Sequence, residues 1–103
     1  MELVVLSNNS IELITAEECS ILKNTSQIHL SENRIRSISE DIQSLTQLKA
    51  LHLDQNELET LPESICRCKE LTTISLFDCK LLQTLPQNIG QLAKLITIDL
   101  SYC

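Results

Sequence analysis

Apolar residues between positions 48 and 70, LKALHLDQNELETLPESICRCKE, fall at offsets that neither a helical nor a strand period explains throughout. Leu51 and Leu53 alternate with polar neighbours, as in a half-buried strand. Asn56 follows as a turn residue, and Leu58, Leu61-Pro62, Ile65 and Cys68 mark the inward points of a returning arm. The unit reads LxxLxLxxNxLxxLPxxIxxC.

The same frame fits the rest of the chain. One copy from position 1 uses Val4, Leu6, Asn9, Ile11, Ile14 and Leu22. A second, from 25, uses Ile28, Leu30, Asn33, Ile35, Ile38, Ile42 and Leu45. A fourth, from 71, uses Ile74, Leu76, Cys79, Leu81, Leu85-Pro86, Ile89 and Leu92, and a fifth runs from Leu95 to Cys103. Starts at 1, 25, 48, 71 and 95 give spacings of 24, 23, 23 and 24 residues. About six apolar positions and a ninth-position Asn or Cys recurring in register resemble the leucine-rich-repeat family over the whole chain. The LPESI and LPQNIGQL arms are similar to repeats of intracellular signalling scaffolds and, more closely, of small effectors that bacteria deliver into host cells; LITIDLSYC is similar to plant disease-receptor repeats.

The expected fold is therefore α/β: a leucine-rich-repeat solenoid, one domain over residues 1–103, with a curved parallel sheet on the concave side and short helical or irregular arms on the convex side. Strands are expected around Val5 and over residues 28–30, 51–53, 74–76 and 98–100. Ser39-Glu40-Asp41-Ile42 reads as a capped turn, and Pro62 and Pro86 suit a first helical position, where the missing N–H costs nothing. Asn9, Asn33, Asn56, Cys79 and Cys103 are expected to form a buried ladder bonding loop backbone after the strands.

Composition narrows the function. The 19 Leu and 12 Ile supply an aliphatic core, and one glycine, Gly90, leaves no phosphate cradle. A net charge of −6 argues against nucleic acid and anionic membranes, which need cationic surfaces, and favours a basic protein partner. Five cysteines are an odd count; Cys19, Cys68, Cys79 and Cys103 read as small hydrophobes and reduced thiols, and the Cys66/Cys68 pair lacks the second pair of a zinc site. MELVVLSNNS carries Glu2 in place of a basic region and already belongs to a repeat, so a cytoplasmic location is expected, including delivery into a host cytosol.

With positions 1, 4 and 6 of the frame pointing inward, the intervening residues face a partner. Position 5 gives Val5, His29, His52, Ser75 and Asp99; position 7 gives Ser7, Ser31, Asp54, Phe77 and Ser101; position 8 gives Asn8, Glu32, Gln55, Asp78 and Tyr102. Both histidines and the only two aromatics, Phe77 and Tyr102, lie in these columns. The expected binding residues are Phe77 and Tyr102 as apolar anchors, His29 and His52 as central contacts, Glu32, Asp54, Asp78 and Asp99 as acidic steering groups, with Ser75 and Lys49 beside them.

The reading is a non-enzymatic protein-binding module, an effector that occludes or inhibits a partner enzyme with basic and apolar features; no cofactor is expected. Ser31 beside His29 lacks an oxyanion hole, and no cysteine sits at nucleophile distance from a histidine. Two alternatives stand beside it. The chain would be a fragment of a larger repeat receptor or signalling scaffold, or His29, His52 and Asp54 would hold a divalent metal, although a flat sheet lacks the supporting groups of a good site.

Overall fold

In the computed structural model, which describes residues 2–103, each repeat forms one rung of a solenoid. The first rung supplies β1 (Leu3–Val5), β2 (Leu13–Ile14) and the helix α1 (Ala16–Ile21). The second supplies β3 (Gln27–His29), β4 (Ser37–Ile38) and a 3-10 turn, Glu40–Ser44. The third has β5 (Ala50–His52) and a 3-10 turn at Glu63–Arg67, the fourth β6 (Thr73–Ser75) and a 3-10 turn at Ile89–Gln91, and the fifth β7 (Thr97–Asp99). The sheet order is β1-β3-β5-β6-β7, every pair parallel, with frame positions 3, 4 and 5 in register from rung to rung. On the arm side β2 pairs in parallel with β4. This is the α/β leucine-rich-repeat solenoid that the frame implies.

β3, β5, β6 and β7 each begin and end one residue before the expected boundaries. The sixth-position leucine has left the extended run but still donates to the next rung: Leu30 N to His52 O, Leu53 N to Ser75 O and Leu76 N to Asp99 O, each at 2.8 Å. Side chains at positions 4 and 6 fill the interior; Ile28, Leu30, Leu51, Leu53, Ile74 and Leu76 are all buried, with Leu45, Leu48, Ile65 and Leu71 closing the core from the arms. Burying one such aliphatic side chain stabilises by roughly 1.5–3 kcal/mol.

The arms differ from expectation in detail. Ser39 caps its turn, its hydroxyl accepting from Asp41 N at 3.0 Å. Pro62, however, precedes the 3-10 turn as its cap, with φ −67° and ψ 146°, instead of opening it. Pro86 lies further ahead, the turn it leads into beginning at Ile89. Pro62 O accepts the first bond of its turn, from Ile65 N, whereas Pro86 O accepts from Ile89 N in the turn just ahead, before Asn88 O takes the bond from Gln91 N; in both cases proline's fixed φ serves the entry.

The ninth-position ladder is buried in the middle rungs and open at the ends. Asn33 donates to Leu6 O and Leu30 O at 3.0 and 2.9 Å while its carbonyl accepts from Asn9 N and Ile11 N. Asn56 repeats this one rung on, donating to Leu30 O and Leu53 O and accepting from Ile35 N. Cys79 substitutes a thiol that reaches Leu53 O at 3.2 Å, and Cys103 likewise reaches Leu76 O at 3.0 Å. Asn9 and Cys103 are exposed, contrary to expectation, because each lies on a terminal rung covered on one side only.

Just before this ladder the backbone is left-handed. Asn8, Glu32, Gln55, Asp78 and Tyr102, the eighth-position residues, all have φ between 57° and 62°. Recurrence in all five rungs shows that the turn into the ninth position imposes it, since a non-glycine residue adopts this region at a cost of about 1–2 kcal/mol.

Replacing Asn56 by Leu is expected to lower stability by about 1–3 kcal/mol in urea unfolding, because the carbonyls of Leu30 and Leu53 lose a buried donor. The same change at exposed Asn9 should cost distinctly less, water taking over its bonds; equal losses would show that burial is not what gives the ladder its weight.

Candidate protein-binding face

Strand alternation places positions 3, 5 and 7 of every rung on the outer surface of the sheet. At its centre His29 and His52, registered partners on β3 and β5, stack with ring centroids 4.2 Å apart and an interplanar angle of 17°. Both are half-buried. The His52 imidazole is held below its ordinary pKa, first by desolvation and then by its neighbour His29, against a smaller opposing pull from Asp54.

Stacking bears on the metal candidate. Ring nitrogens lie in the ring plane, so near-parallel rings lying one over the other do not aim their lone pairs at a common point. Asp54 is committed elsewhere: its Oδ1 accepts from the Ser75 hydroxyl and, at 2.9 Å, from Phe77 N. Among the described residues no three His, Cys, Asp or Glu side chains come together as a group that could hold a metal ion.

Asp54 therefore works as a brace. Its carboxylate crosses to the next rung and fixes the backbone at Phe77, which in turn fixes the aromatic ring. Phe77 and Tyr102, on adjacent rungs, meet edge to face with centroids 5.4 Å apart and planes at 83°, the arrangement that aromatic quadrupoles favour. Phe77 is half-buried in this contact and Tyr102 is 75% exposed.

The remaining acids differ from one another. Asp78 pairs with Lys80, whose ammonium is the leading cause holding its carboxyl below the usual range. Asp99 accepts from Ser101 N at 2.9 Å, the bond that lowers its pKa, and stays at the surface in the central column. Glu32 and Lys49 are exposed at the margins, and the Lys49 carbonyl accepts from the Thr72 and Thr73 amides. The sheet thus brings His29, His52, Asp54, Ser75 and Phe77 into one contiguous group, with Asp78, Asp99 and Tyr102 beside it and Glu32 and Lys49 at its edges.

Two residues that the aromatic-led reading passed over belong to the same surface. Leu3 and Val5, 50% and 61% exposed, give the first rung an apolar face. Their signal lay in the same columns, where an aliphatic residue at position 3 or 5 of a strand has no place in the core.

A family model for the leucine rich repeat matches residues 1–58 and again residues 23–81. The chain belongs to the leucine-rich-repeat family. Domains of this family generally mediate protein–protein binding and are typically non-enzymatic. No curated protein matches the chain. Among the described residues no helix of this leucine-rich-repeat chain is long and apolar enough to cross a membrane.

Because the folded state holds His52 below its ordinary pKa, the unfolded chain binds the proton first. The His52 contribution to stability is present above about pH 6.5 and is lost as pH falls from there through the lowered folded value. Thermal or urea unfolding should show this loss in wild type and a smaller one in His52→Gln. An unchanged slope in the variant would assign the acid sensitivity to other groups.

Proposed function

We propose that the chain is a non-enzymatic binding module that docks a protein with basic and apolar features on its sheet face and occludes that partner's working surface, an enzyme's active face in the effector-like case. The Phe77–Tyr102 pair on the outer face, with Tyr102 exposed and Phe77 half-buried against it, carries the reading. The chain's two aromatics lie outside its aliphatic core, on the outer side of the sheet, where such residues dominate interface energetics at about 2 kcal/mol or more each. The backbone beneath them is tied into a parallel ladder, so binding loses little ordering entropy. A net charge of −6 supports the basic partner.

A reducing compartment, such as a cytosol, suits the thiols. All five cysteines are free; Cys19, Cys66, Cys68 and Cys79 are buried, and burial pushes the Cys68 thiol up to about 11. Such thiols act as small hydrophobes and are unreactive at neutral pH.

Affinity capture with the wild-type chain, compared with a Phe77→Ala, Tyr102→Ala double variant, tests this reading. Partners should be lost from the double variant, whose melting temperature should stay near wild type, and kept by the arm variant Gln43→Ala. Raised salt should slow association more than it speeds dissociation. Acidification below the ordinary histidine range should weaken binding, since a protonated His52, its pKa lowered chiefly by desolvation, would face a basic partner. Affinities within a factor of about 2 of wild type for the double variant, well under the tenfold of 1.4 kcal/mol, would move the partner to the arms or the ends.

A further inference from the structure

The five rungs of the face are chemically unlike in one direction. Along the central column the residues run Val5, His29, His52, Ser75, Asp99, from an exposed aliphatic through an imidazole stack to a carboxylate. The first rung adds exposed Leu3 beside Val5, while the fourth and fifth add the Phe77–Tyr102 corner beside Asp99. The intervening acids are partly used up, Asp54 on Ser75 and Phe77 and Asp78 on Lys80. The Asp99 carboxylate, bonded to Ser101 N, keeps its charge at the surface on the same rung as Tyr102 and the rung after Phe77.

A carboxylate beside exposed aromatic rings suits a guanidinium, which can pair with the first and lie against the second. An exposed Leu–Val rung suits an aliphatic side chain. Resting on the proposed binding face, we infer that the partner presents an extended segment running along the solenoid axis, with an arginine at the Asp99, Phe77 and Tyr102 end and an aliphatic residue at the Leu3 and Val5 end. The ends lie four rung steps apart, about 19 Å at the usual strand spacing. An extended chain covers that in about six residues at roughly 3.3 Å each. A helix, rising about 1.5 Å per residue, would need about thirteen residues for the same span.

The test is selection of a random twelve-residue peptide library displayed on phage against the immobilised chain, followed by affinity measurements on the selected peptides. The expected outcome is enrichment of peptides that place an arginine about six residues from a Leu, Ile or Val. Asp99→Asn, which keeps an acceptor for Ser101 N, should weaken these peptides about tenfold but leave their Arg→Gln analogues unchanged; Val5→Asp should act in the same way through the aliphatic residue. Absence of enriched peptides, enrichment without that pairing, or no coupling between the peptide arginine and Asp99 overturns the inference. Peptides that lack the pairing yet are lost from the Phe77→Ala, Tyr102→Ala variant would overturn the axial arrangement alone. Peptides that bind that variant as well as wild type would overturn the binding face with it.

Discussion

The constraint on which this molecule depends is the fate of the backbone where each strand turns into its arm. At that point Leu30 O and Leu53 O are turned into the solenoid, out of reach of water, and a buried carbonyl without a donor costs about 1–3 kcal/mol. The ninth-position side chain of the following rung answers this. Asn56 bonds the carbonyl of its own rung and that of the rung before, and Cys79 reaches back to Leu53 O with its thiol. The rest of the interior can then be mainly aliphatic, and the stack propagates by nearest-neighbour contacts.

The outer surface follows from that interior. Once positions 4 and 6 are fixed inward, positions 3, 5 and 7 have nowhere to go but out, and in-register pairing lines them up in columns. The His29–His52 stack comes from like positions on adjacent rungs, and the Phe77–Tyr102 pair from the neighbouring positions 7 and 8. Inter-rung ion pairs obey the same rule on the arms, where Arg36 meets Glu12 and Arg34 meets Glu57. These are exposed and contribute little each; they show that the repeat dictates which side chains become neighbours.

Most of this was legible in the sequence because the repeat offset carries it. The strand positions, the buried Asn33 and Asn56 and the membership of each face column all follow from counting within the frame. What the frame cannot express is the difference between a middle rung and an end rung: Asn9 and Asn56 have the same residue type and position, yet only Asn56 is covered on both sides. Nor does it express bonds that cross rungs with an offset. Asp54 looked like a free charge, but on the next rung it accepts from the Ser75 hydroxyl, two frame positions back, as well as from Phe77 N at its own position. The close pairing of Asp78 with Lys80 also depends on the loop conformation. The proline entries shifted for a related reason, since residue preference marks a turn without stating which of its residues begins it.

The left-handed backbone at position 8 bears on how the face meets another molecule. Side-chain rotamers depend on the backbone beneath them, and at φ 60° a ring as large as that of Tyr102 has fewer orientations open to it than in a strand or helix. Its contact with Phe77 narrows the choice again. A freely rotating side chain gives up about 0.5–1.5 kcal/mol when an interface immobilises it. In Tyr102 part of that loss has already been taken during folding, so an exposed tyrosine near the end of the chain behaves less like a loose surface residue than like a preset one.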